Sequence, residues 1–160
     1  MTVVLASMLV LVGCATALQA PECLDEIQVN ELPAVGQRFI VNEKSDCLIL
    51  LTSASIVQSY TVVHQGTRFT IGLPKGGEPV VVYINVSDKA FQSPEGLRVG
   101  DSLCSALQTT ETKPVSGPGF SYTLLLPSGW KAGFDALETN GMPADNRLTE
   151  ESRISWFSRD

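Results

Sequence analysis

Histidine is almost missing from this sequence: His64 is the only one in 160 residues. Aromatics are sparse at 7%, and 11 Lys and Arg face 17 Asp and Glu, giving a formal charge of −6. The shortage of basic residues argues against a nucleic-acid partner, which needs a basic stripe to displace counterions. It argues equally against charge-driven adhesion to anionic lipid. No serine sits in a G-x-S-x-G elbow, and "GLPKGGEP" lacks the spacing of a phosphate loop. There is no C-x-x-C, and the cysteines lie far from one another and from His64 in sequence, so no metal site is expected. No cofactor is expected either. Internal repeats are absent. Since hydrolysis near neutral pH usually recruits histidine as base, an enzymatic reading would rest on His64. That residue sits in "VVHQG", at an expected strand end, where a turn role suffices. No catalytic residue is assigned, and the chain is expected not to be an enzyme.

What the sequence does have is an uncharged apolar start, "MTVVLASMLVLVG". The run is too short for a spanning helix, which needs about 20 apolar residues. It has the length of a secretory h-region, roughly 7–15 residues. A buried N-terminal strand or helix is the alternative, but the apolarity stops at "CATALQAPE" and the chain turns polar. Leu11-Val12-Gly13-Cys14 resembles the lipobox of bacterial envelope lipoproteins, although Met1-Thr2 offers no Lys or Arg as n-region. The resemblance implies a signal peptide over 1–13 and lipidation, palmitate included, at Cys14. Residues 14–21 are then a tether, and the membrane is reached through the lipid anchor. Ala15, rather than Asp, follows the cysteine, which by the same resemblance implies the outer membrane, facing the periplasm.

Cys23, Cys47 and Cys104 remain. An oxidising compartment permits a disulfide, and three pairings are open. The pair Cys23 and Cys47 closes a loop of about 25 residues, worth roughly 3–4 kcal/mol in a chain-entropy model. Cys104, in "GDSLCSALQ", reads as a half-buried free thiol.

Periodicity organises the rest. "TRFTIGL" places Phe69, Ile71 and Leu73 on one face and Arg68 and Thr70 on the other. "PKGGEP" is a turn cluster and "VVVYINV" a β-branched run, so 67–86 reads as a hairpin, with Ile71, Val82 and Ile84 buried. Asp101 or Ser102 caps a helix ending near Thr109, with Leu103, Ala106 and Leu107 on its inner face. "FSYTLLL" alternates, with Phe120, Tyr122 and Leu124 together. "PSGWKAGFDALETNGMPADNRLTEES" reads as a long loop, and "RISWFSR" as a last strand burying Ile154 and Trp156. The expected class is α+β: one domain over 22–160, an antiparallel meander with one short helix.

From about Val86 the pattern "DKAFQSPEGLRVGDSL", followed by a helix, an aromatic strand, a Gly/Trp loop and a terminal aliphatic-x-Trp strand, resembles small bacterial envelope lipoproteins of the sigma-E-regulated lipoprotein-like family. The matching positions are Gly96, Val99, Gly100, Trp130, Gly133, Ile154 and Trp156. The resemblance implies an envelope lipoprotein and no particular activity. Read from the residues, Gly96 and Gly100 serve turns. Trp130 and Phe134 in "SGWKAGF" form either an exposed recognition loop or a lid folded onto a small core. The function expected is a non-catalytic structural or interaction role with an envelope protein partner. The alternative is a periplasmic small-ligand-binding or hydrolase-inhibitor module.

Overall fold

The computed structural model describes residues 26–42, 47–52, 55–117, 121–135 and 148–160. Cys14, the 14–21 tether, Cys23 and Phe120 lie outside the described residues. The strands are β1 (Ile27–Gln28), β2 (Leu48–Thr52), β3 (Ser55–His64), β4 (Thr67–Pro74), β5 (Tyr83–Val86), β6 (Val115–Gly117), β7 (Ser121–Leu125), β8 (Lys131–Asp135) and β9 (Trp156–Arg159). Among the described residues one helix, α1 (Leu103–Leu107), lies between β5 and β6.

Alternation along β4 generates the sheet's two faces. Phe69, Ile71 and Leu73 are buried, Arg68 is exposed and Thr70 half-buried. The hairpin forms as expected: Ile71 stands opposite Ile84 and Thr70 opposite Asn85. The parity then passes from strand to strand. Val86 pairs with Phe157, Phe157 with Ala132, and Ala132 with Leu124. These residues belong to a core that also takes in Val62 and Phe134. Side chains from both halves of the sheet meet in that core, so the sheet is curled around it, as the twist of a many-stranded sheet favours. Phe91, from the β5–α1 connection, reaches into this interior. Its ring stands edge-on to Phe69 and Phe157, at 5.7 and 5.3 Å, and tilted against Trp130 at 5.0 Å. Each such buried side chain contributes on the order of 1.5–3 kcal/mol through removal from water.

The nine strands run in the order β1-β3-β4-β5-β9-β8-β7-β6, with β2 also paired to β3. Two meanders, β3-β4-β5 and β6-β7-β8-β9, are therefore joined where β9 lies beside β5. The α+β expectation is overturned. The sheet dominates and is mixed, because β1 runs parallel to β3. The helix has five residues. It starts as expected, with the Ser102 side chain accepting from Ser105 N–H, and buries Leu103 and Ala106. Leu107, expected on the same face, is 39% exposed.

Three local expectations also fail. Lys131–Asp135, read as loop, is β8, held between β7 and β9. Val81, not Val82, is fully buried, because the chain is irregular before β5: Val81 N–H donates to Gln37 O and Val82 N–H to Gly72 O. Trp156 is only partly buried, while Phe157 beside it is 0% exposed. Trp156 pairs with Gly133 on the outer face.

Candidate functional site

His64 ends β3 and pairs with Thr67 across a two-residue turn. Gln65 and Gly66 take φ of 49° and 79°, the left-handed pair of a type I′ hairpin turn. The ring's Nδ1 lies 3.5 Å from Val29 O, so its described neighbour is a backbone carbonyl. Among the described residues, no group of three or more His, Cys, Asp and Glu could hold a metal ion.

Trp130 is 5% exposed and Phe134 is 0% exposed. The exposed recognition loop is therefore replaced by the folded-back alternative. Phe134 is a core residue of β8, and Trp130 packs on Phe91 with the Arg159 guanidinium 5.1 Å over its ring. Arg159 also donates to Ser128 O, so it clamps the turn that leads into β8. Glu95 braces the same turn, its Oε1 accepting from Ser128 N–H at 2.7 Å. Its Oε2 and the Ser128 hydroxyl are buried without a well-directed partner, yet the two are close enough to interact. Burial pushes the Glu95 carboxyl upward, but hydrogen bonds from Ser128 and Ser93 outweigh it and hold the carboxyl below its ordinary range.

Cys47 is buried and disulfide-bonded. Cys104 is free and exposed rather than half-buried.

Gly96, Gly100 and Gly133 each have a structural role. Gly96 and Gly100 adopt φ of 87° and 100°, which only glycine enters without strain. Gly100 N–H donates to Ile154 O at 2.7 Å, and Ile154 N–H to Asp101 O at 2.8 Å. A Cβ placed on Gly133 would fall less than 3.0 Å from Cδ2, Cε2 and Cζ2 of Trp156.

Two hollows remain. One, of about 530 Å³, opens at the far ends of β3 and β4, between Val41, Gln58, Tyr60, Leu73 and the Lys75–Gly77 turn. In β3, Ile56 continues the parity of Gln58 and is 51% exposed. The other, of about 480 Å³, is polar and lies on the sheet's outer face, lined by Thr61, Arg68, Thr70, Asn85, Ser87 and Asp88. Sequence reasoning reached neither hollow. The second was recoverable from the polar half of the alternation that located the core.

No family model matches the chain, and no curated protein or solved structure matches it either.

Proposed function

We propose that the chain is a lipid-anchored protein of the bacterial envelope with a non-catalytic, interaction role, carried at the outer membrane and facing the periplasm. The observation that carries this reading is the uncharged apolar run ending in Leu11-Val12-Gly13-Cys14. Two or three acyl chains on Cys14 would anchor it firmly, since each buried methylene contributes about 0.8 kcal/mol and a single chain holds only marginally. His64 closes a tight two-residue hairpin turn, a structural role that supports the non-catalytic reading. Cys14→Ala should abolish palmitate incorporation and leave the precursor uncleaved. Palmitate labelling that persists in that variant would sink the anchor.

A second reading, a periplasmic small-ligand-binding module, is favoured by the hollow between Tyr60 and the Lys75–Gly77 turn. Its volume of about 530 Å³ lies within the range of small-molecule sites.

A further inference from the structure

On the outer face of the sheet, the strand registers line up one rung of polar side chains. Thr61 pairs with Thr70, Thr70 with Asn85, Asn85 with Ser158, and Ser158, itself buried, with Lys131. Most of a sheet's solvent face is polar, so a polar rung alone decides nothing. Three further features set this one apart. First, Thr61, Thr70, Asn85 and Ser87 line a hollow of about 480 Å³, room for one or two hexose units by comparison with small-molecule sites of roughly 300–1,000 Å³.

Second, an aromatic ring lies flat beside it. The position a Gly133 Cβ would take is almost equally distant from three consecutive atoms of the Trp156 indole. A point at the ring's edge would be near one or two ring atoms and well away from the third. That point is therefore over the ring face, and the indole lies on the backbone of β8 with its opposite face turned away from the sheet. Trp156 is partly exposed. Extending the Val86–Phe157 pair by one residue sets Ser87, at the hollow's rim, beside Trp156.

Third, the hollow's lining carries one charge of each sign, Arg68 and Asp88. Arg68 pairs with Glu26 at 2.6 Å, and Lys131 pairs with Asp160. Asp88 accepts from Ala90 N–H. An anionic ligand would meet the Asp88 carboxylate in the same lining and compete with Glu26 for Arg68, whereas a neutral ligand that exchanges hydrogen bonds would not. Tyr83 adds a neutral hydroxyl beside the rung, accepting from Asn85 Nδ2 at 3.1 Å.

We propose that the outer-face hollow, with Thr61, Thr70, Asn85 and Ser87 as hydrogen-bonding groups and Trp156 as stacking platform, binds a neutral oligosaccharide. A pyranose presents hydroxyls around its rim and an apolar C–H face. That combination matches hydroxyl and amide side chains next to an aromatic face, which offers apolar area at small entropic cost. The site is separate from the lipid anchor and stands whether or not Cys14 is acylated.

The test uses the full chain with ¹⁵N-labelled tryptophan indoles, kept in a detergent that carries no sugar headgroup and titrated with chitotetraose and, separately, cellotetraose. The indole N–H of Trp156 should shift saturably with at least one of them, while that of Trp130, 5% exposed in the core, stays in place as an internal control. Thr70→Arg fills the hollow from a surface position of β4 and should weaken binding by about tenfold or more. Trp156→Ala should weaken it by about thirtyfold if the variant folds; Thr70→Arg decides the matter if it does not. No saturable shift of Trp156 up to about 10 mM of either sugar, a concentration that already admits very weak binding, overturns the proposal. So does an unchanged affinity in a folded Thr70→Arg variant.

Discussion

At the scale of single residues, the Trp156 indole lies over Gly133 closer than a Cβ there would allow. Any side chain at 133 must share space with the indole, and the indole cannot rise without leaving the sheet. Gly133→Ala should therefore destabilise by about 1–3 kcal/mol or more, as overpacking does. Gly77→Ala, whose added carbon would meet only Pro74 Cβ at 3.6 Å, should unfold at nearly the wild-type urea midpoint. Equal midpoints for the two variants would refute the flat placement of the ring. Glu95 makes a second residue-scale prediction, on acid stability. Its carboxyl is held below the ordinary range in the folded chain, so folding binds the ionised form more strongly than the unfolded chain does. The stability it contributes is complete above the unfolded carboxyl value, about 4.3 for glutamate, and is lost as pH falls through the lower folded value. Glu95→Gln should flatten that part of the stability curve in acid. If the variant loses stability between pH 5 and 3 as steeply as wild type does, Glu95 is not the group responsible.

At the scale of elements, legibility in the sequence follows how local each element's causes are. The β4–β5 hairpin was readable because the alternation of β4 and the turn cluster "PKGGEP" lie within one short window. The start of α1 was readable because a serine cap acts on its own first turn. β8 was not readable. "KAGFD" has a glycine at its centre and weak strand propensity, and it becomes a strand because β7 and β9 flank it in space. The side-chain parity of β9 was misread for a related reason. "ISWF" supports either face, and the face is settled by the pairing of Phe157 with Val86 and Ala132. The polar hollow lies on the consecutive strands β3, β4 and β5, so its residues were legible as the outward half of the alternation, while the concavity they form depends on how the sheet bends in space. The pairing of β9 can be tested on its core residue. Phe157→Ala should cost about 3–5 kcal/mol, as large aromatic truncations in cores do. An unchanged melting temperature would mean that Phe157 is not where the registers put it.

For the whole molecule, the chain carries a disulfide at Cys47, just before β2. Cys47 O accepts from Ser59 N–H at 2.9 Å, a hydrogen bond that holds this cross-linked residue against the middle of β3. With Cys104 free and Cys14 proposed as the lipid handle, we propose Cys23 as the partner of Cys47. A non-reducing peptide map should join the peptides carrying Cys23 and Cys47. Recovery of Cys47 linked to the Cys14 peptide instead would overturn both the pairing and the anchor.

The placement of β9 between β5 and β8 has a consequence in time. Synthesis runs from one end of the chain to the other, and β9 is made after the other described strands. Until residue 159 has been delivered, the two meanders have no common strand, and Phe91, Phe134 and Leu124 have no Phe157 to close over them. The early chain is thus two half-sheets, each with a bare edge and an uncovered apolar face, which is the condition under which nascent chains stick to one another. Closure waits for contacts between residues far apart in sequence, the kind that form slowly. The described strands are therefore at their most vulnerable until β9 is made, and anything that shields them has to act before it arrives.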